Sequence, residues 1–225
     1  MKKENIFDYH PFAFSGEKKK KFILNNIKKL TKHHSKKSLQ YSKILKFFNF
    51  KPDKNNNKIE SFPFLPVRLF KYYELLSVKR KNVFKTLLSS GTSENILSKI
   101  FLDKENAQNQ TKVLTKIMNS ILGEKRLPMM IVEKEISKIN RSSFNAKIAA
   151  INGFSVFGKE YTYIINQDDT INYDKINEFL KKFGDEPFFI FGFTYSIYNY
   201  LIKRLDSKKF RYNFQKGILL HGGGW

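Results

Sequence analysis

Two stretches of this chain hold residue types that chemistry could use. The first is Leu88-Ser89-Ser90-Gly91-Thr92-Ser93-Glu94, four hydroxyl side chains around one glycine. Such a loop presents hydrogen-bond donors with little bulk, and the glycine lets a backbone N–H approach an anion closely. Phosphate is the ligand that suits it. The competing reading is an ordinary solvated turn, where Ser/Gly/Thr clusters are commonest. The loop is neither GxxxxGK[ST] nor GxGxxG. The second stretch is His221-Gly222-Gly223-Gly224-Trp225, directly after the strand-like Gly217-Ile218-Leu219-Leu220. Its glycines allow backbone to lie flat against a planar ligand or to bend sharply. HGGG after a strand is also an oxyanion-hole pattern of esterases. That reading requires a GxSxG elbow, which the sequence lacks, and it leaves the serine loop without a role.

The elements that must position these residues alternate in type. Asn82–Leu88 and Ile96–Leu102 read as strands on either side of the serine loop. Asp103 is a candidate N-cap for a helix carrying Val113, Leu114, Ile117, Met118, Ile121 and Leu122, ended by Gly123. Leu127–Val132 follows as a strand with a proline near its start. A helix through Ala146–Ile151 capped by Ser142 or Ser143, a strand over Tyr161–Ile165 and a helix over Asn172–Phe183 come next. Pro187–Phe193 is wholly apolar, as a buried parallel strand would be, and Tyr195–Leu205 reads as the helix after it. This alternation predicts an α/β fold with a mostly parallel sheet and ligands at the carboxyl ends of its strands.

Ahead of it, residues 1–60 read as a helical N-terminal extension, with Ile23, Leu24, Ile27 and Leu30 at helical spacing and lysines on the outer faces. Lys51–Lys58 is polar and turn-rich, a candidate boundary that assigns 61–225 to the α/β part. Between them and the serine loop, Phe62-Pro63-Phe64-Leu65-Pro66-Val67-Arg68-Leu69-Phe70-Lys71 is held extended by two prolines. His33 and His34 are adjacent, point to different sides of a helix and have no carboxylate at a useful spacing, so no metal is expected.

Composition narrows the function classes. With 225 residues and 41% hydrophobic content, the chain can bury a core. Its formal charge of +22 invites nucleic acid, but the lysines are scattered from end to end, so a specific nucleic-acid module is the weaker alternative. Absence of cysteine excludes disulfides, thiolate metal sites and a cysteine nucleophile within these residues. No apolar run reaches the roughly 20 residues of a membrane span, and Glu4, Asp8 and His10 interrupt any secretory apolar region, so a cytoplasmic protein is expected.

Taken together, the FPFLPVRLFK segment, the SSGTS loop, Ile190–Tyr198 and the terminal LLHGGGW resemble the acyl-protein synthetase (LuxE) family, a branch of the adenylate-forming enzymes related to phenylacetate-CoA ligase. The resemblance runs from the leader to the last residue. It implies that ATP, with Mg2+, activates a carboxylic acid, typically a long-chain fatty acid, as an acyl-adenylate for transfer to a thiol of a protein. It assigns Ser89, Ser90, Gly91, Thr92 and Ser93 to the triphosphate, with Ser90 and Thr92 acting in catalysis, and His221, Gly222, Gly223 and Gly224 to adenine. Phe193, Thr194 and Tyr195 would line the acyl pocket. The implied partners are the acid and an acyl donor or acceptor protein, a reductase or transferase of a fatty-acid reductase complex. Activation of a different acid, of the acyl-CoA or amino-acid ligase type, is the alternative. The loop departs from the usual SGTTG form, since Ser93-Glu94-Asn95 replaces its second glycine region. The ribose-binding aspartate, hinge, mobile small domain and acyl-accepting cysteine of the family have no match here. The expectation is therefore an incomplete adenylation domain, the front part of a longer protein and by itself inactive.

Overall fold

A computed structural model describes residues 6–52, 57–88, 97–135, 146–204 and 212–223. The chain divides into two compact units, Met1–Ile117 and Met118–Trp225.

In the first unit the leader is helical. Helix α1 covers Gly16–Lys37 and α2 covers Leu39–Phe47, separated at Ser38. Ser38 ends the first helix and caps the second, its hydroxyl accepting from the Tyr41 N–H at 3.3 Å, which satisfies a donor that the helix start leaves unpaired. Leu45 is buried, and His34 reaches the Ser77 hydroxyl at 2.7 Å. The Pro63–Pro66 segment leads into the short α3, Leu69–Tyr72. Strands β1 (Lys85–Leu88) and β2 (Lys99–Leu102) pair antiparallel, with Leu88 opposite Lys99. These are the strands expected on either side of the serine loop. The loop itself, Ser89 to Ser93, lies outside the described residues. Helix α4, Lys104–Leu122, starts as its sequence predicts, with Asp103 accepting from the Asn106 N–H at 2.8 Å, and stops at Gly123 with φ +81°.

The second unit holds the sheet. Its strands are β3 (Leu127–Lys134), β4 (Gly158–Ile165), β5 (Phe188–Phe193) and β6 (Gly217–Gly222), in the order β4-β3-β5-β6 and all parallel. Helices α5 (Ala146–Ser155) and α6 (Tyr173–Phe183) make the first two crossovers. A strand buried on both faces needs apolar residues at every position, and β5 shows this, with Phe188 to Phe191 all buried. Alternate residues serve opposite faces. Met130, Val132, Phe188 and Ile190 pack with Ile176 and Phe179 of α6 in one cluster. On the other face Phe191 meets Phe154 of α5 at 4.9 Å between ring centres. The expected α/β fold with a parallel sheet is therefore present, with β4 starting three residues earlier than its sequence suggests and α5 running on to Ser155.

One element differs in kind from its expectation. The helix after β5 begins with a single turn, α7 (Thr194–Ser196), then widens to π-helical turns over Ile197–Ile202. The Asn199 side chain donates to the Tyr195 carbonyl at 3.1 Å, taking the acceptor that its own backbone N–H would use in an α-helix. Gly192 allows this segment to sit close to the sheet. A Cβ there would lie 2.8 Å from Ile197 Cδ1 and 3.0 Å from Val132 Cβ.

Candidate functional site at the carboxyl edge of the sheet

The connections from β3 and β5 leave in opposite directions, toward β4 and toward β6. Backbone loops diverge at such a point, and open α/β sheets bind ligands there, outside the carboxyl ends of the strands. Two hydrogen-bonded stations occupy this edge.

The first joins β5 to β6. Their register sets Gly192 opposite His221 and Phe193 opposite Gly222. Thr194, the first residue after β5, consequently stands beside the glycine-rich end of β6. Its Oγ1 lies 3.0 Å from His221 Nδ1, 3.2 Å from the Gly222 carbonyl and 3.0 Å from the Gly223 carbonyl. A hydroxyl has one proton and the carbonyls only accept, so all three contacts are used when the hydroxyl donates to carbonyl oxygen and Nδ1–H donates to the hydroxyl. That arrangement leaves His221 Nε2 as an acceptor. Gly223 adopts φ +87°, a backbone conformation that side chains other than glycine rarely take, and a Cβ there would lie 3.2 Å from Phe193 Cδ1. Phe193 is half-buried against Phe191, with ring centres 6.2 Å apart, and Tyr195 is exposed.

The second station joins β3 to β4. Lys134, at the end of β3, pairs with Asp169 at 2.7 Å and donates to the Gln167 carbonyl at 2.8 Å. Asp169 sits at φ +64° in a turn from Asn166 to Asn172. The Asn166 N–H donates to the Thr170 carbonyl at 2.8 Å, the Thr170 hydroxyl donates to Asp168 at 2.6 Å, and Asn172 donates to Asn166 at 2.8 Å. Asn172 also caps α6, accepting from the Lys175 N–H at 2.9 Å. The hydrogen bond from Lys134 holds the Asp169 carboxyl below its ordinary value, and the same bond raises Lys134. The Thr170 hydroxyl lowers Asp168 in the same way. Tyr200, from the π-helical turns, donates to Asp169 at 3.2 Å, and burial pushes its phenol up.

A cavity of about 630 Å³ opens on this edge. The turn after β4 contributes Thr170 and Ile171 to its wall, the start of α6 contributes Tyr173, and the segment after β5 contributes Tyr195, Asn199, Tyr200, Lys203 and Arg204.

Two groups that the sequence assigned separately thus meet in one place: Thr194, of the expected acyl pocket, is bonded to His221, Gly222 and Gly223, of the expected adenine site. Gly224 and the five phosphate-loop residues lie outside the described residues. The Lys134–Asp169 station is absent from the sequence reading. Asn166-Gln167-Asp168-Asp169-Thr170 does carry a turn signal, since Asn, Asp and Thr side chains bond their own backbone. The lysine 35 residues away has no local signal at all.

A parallel sheet whose connections diverge between β3 and β5, with α5 and α6 on opposite faces, defines an α/β protein of the doubly wound kind. Within that class the sequence matches the family described as acyl-protein synthetase, LuxE, over residues 2–225, and the chain belongs to that family. Acyl-protein synthetases are ligases. None of the curated proteins matches the chain. Among the described residues no helix is long and apolar enough to cross a membrane.

Proposed function

We propose that the chain supplies part of a site where ATP activates a carboxylic acid for transfer to a thiol of a protein. A carboxylate oxygen attacks the α-phosphorus of ATP and pyrophosphate leaves. The thiolate of the acceptor protein then attacks the acyl carbon, and AMP leaves. The observation that supports this reading most directly is the bonding of Thr194 to His221, Gly222 and Gly223. It couples the strand end proposed to line the acid to the glycine-rich strand end proposed to lie against adenine. Hydroxyl, imidazole and glycine backbone are groups that fit the edge of a planar base. Ser89, Ser90, Gly91, Thr92 and Ser93 are proposed to hold the triphosphate with Mg2+, where donors aimed at developing charge supply the rate.

Family membership alone favours a long-chain fatty acid, and a protein of a fatty-acid reductase complex as acceptor. The cavity beside Tyr195 favours the second reading, in which the acid is of a different type.

The test is ATP–pyrophosphate exchange by the full-length protein against a panel of acids. Exchange should depend on an added acid, and Thr92→Ala should slow it by about 10²- to 10³-fold, the usual loss for one such donor. Gly91→Val should do more, because a branched Cβ blocks backbone approach. Parental exchange rates in both variants would remove the loop from the mechanism. No exchange with any acid would end the reading.

A further inference from the structure

We infer that the outer face of α2 is a docking surface for an anionic lipid bilayer, with Leu39, Phe47 and Phe48 entering the boundary of the acyl chains and Lys43 and Lys46 meeting the lipid phosphates. The inference is independent of the proposed reaction, and concerns where the chain works.

Helical spacing builds the face. Leu39, Lys43, Lys46 and Phe47 stand at i, i+4, i+7 and i+8, so they share one side of α2. The opposite side is the one that packs, through buried Leu45 and half-buried Tyr41 and Ile44. On the outer side Leu39 is 70% exposed and Phe47 83%, and Phe48, directly after the helix, is 51% exposed. A single exposed leucine is ordinary, but a stripe on which large apolar side chains stand beside lysines is not what a solvated face needs. It is what a bilayer surface takes, because apolar side chains leave water there while lysine stems lie along them and carry the ammonium groups back to the headgroups.

Charge gives the sign. The lysines run along the whole sequence, yet the two units share the charge unequally. Residues 1–117 hold 26 of the 42 Lys and Arg and 9 of the 20 Asp and Glu, a formal +17 of the +22. Residues 16–58 hold fourteen lysines against two carboxylates, Glu17 and Asp53, and Glu17 is engaged by Lys20. At physiological salt charges farther away than about 8 Å are screened, so these lysines steer the chain to an anionic surface and the α2 stripe makes the contact. Nucleic acid shares the phosphates but not the rest. Bases stack on exposed flat rings, whereas Phe47 and Phe48 pack edge to face, at 80° with centres 5.5 Å apart, and Leu39 offers no ring.

The experiment mixes the full chain with vesicles of phosphatidylcholine alone, or of phosphatidylcholine and phosphatidylserine three to one, and follows binding by sedimentation. Binding to the mixed vesicles should be at least about tenfold tighter and should weaken with salt. Lys43→Gln with Lys46→Gln should lose about tenfold or more on the mixed vesicles, a few-fold for each ammonium at the surface. Lys79→Gln with Lys81→Gln makes an equal charge change at other exposed positions of the first unit, and should lose less. Leu39→Ser with Phe47→Ser keeps every charge and should also lose about tenfold or more. All these side chains are exposed, so each variant should unfold at the parental temperature. Binding to neither vesicle, equal binding to both, or equal loss in the two lysine pairs would each overturn the inference. Parental binding by the serine variant would overturn it too, because contact by charge alone needs no apolar face. A single-stranded oligonucleotide that binds more tightly than the mixed vesicles, and is lost in the same variants, would overturn it in favour of nucleic acid.

Discussion

The two stations on the carboxyl edge solve the same structural problem with opposite materials. At the β5–β6 end, one hydroxyl ties down backbone carbonyls and an imidazole, with no ion pair among the described residues. At the β3–β4 end, a lysine and a carboxylate close the edge, and a turn of Asn, Asp and Thr side chains braces them. The difference is in what each leaves for a ligand. The neutral end presents glycine backbone, which a flat ligand can approach to van der Waals distance. The charged end spends its polar groups on one another and behaves as a clamp. A clamp beside an open face is what a site needs if the ligand is to be held by the open face while the edge around it stays rigid.

Gly192 is where the comparison can be broken most severely, because it sets the segment after β5 that both stations use, through Thr194 on one side and Tyr200 on the other. Gly192→Val would drive a side chain into Ile197 and Val132, and overpacking of this kind costs about 1–3 kcal/mol. Denaturant unfolding should show that loss, and the Tyr200 and His221 resonances should both move. If only one of them moves, the stations are held independently.

A smaller effect belongs to Thr194. Thr194→Val keeps the shape and removes the hydroxyl, so two carbonyls and one imidazole lose a shared partner at an edge that water reaches, a loss of about 1 kcal/mol. Thr194→Ser should restore it. The sharper readout is the ¹⁵N spectrum of His221: Nδ1 should carry the proton in the parent and in the serine variant, and the preference should disappear with valine. An Nε2–H tautomer in the parent would mean that the hydroxyl donates to the ring, and that the carbonyls are left for other partners.

What could be read in advance followed the range of the interaction. The buried strand Phe188–Phe193, the cap at Asp103 and the stop at Gly123 depend on neighbours within a few residues, and each is where the sequence puts it. The π-helical turns were not legible, because they depend on which acceptor the Asn199 side chain wins and on the room left at Gly192. The candidate site divides the same way. His221–Gly223 could be singled out by residue type, and Phe193–Tyr195 by the family resemblance. Their union at Thr194 required the β5–β6 register, and the Lys134–Asp169 pair required the β3–β4 register.

The smallest expected effect comes from the charged clamp, and its sign can be worked out. Asp169 is held below its ordinary value, first by the hydrogen bond from Lys134. A carboxyl whose folded value is depressed contributes stability that is present above its unfolded value, about 4, and is lost as the pH falls below that. Lys134 is raised, first by the same bond to Asp169, so its contribution is present below the unfolded lysine value, about 10.4, and is lost as the pH rises beyond it. Between those limits the clamp should be insensitive to pH. Asp169 is exposed and Lys134 half-buried beside it, so water screens the pair and Asp169→Asn should change stability at neutral pH less than either substitution above. Its signature is the acid limb: unfolding measured from pH 6 to pH 2 should fall less steeply in the asparagine variant than in the parent, with His221 undisturbed. An equally steep limb in both would show that Asp169 is no clamp. A displaced His221 would show that the charged and neutral ends act as one site.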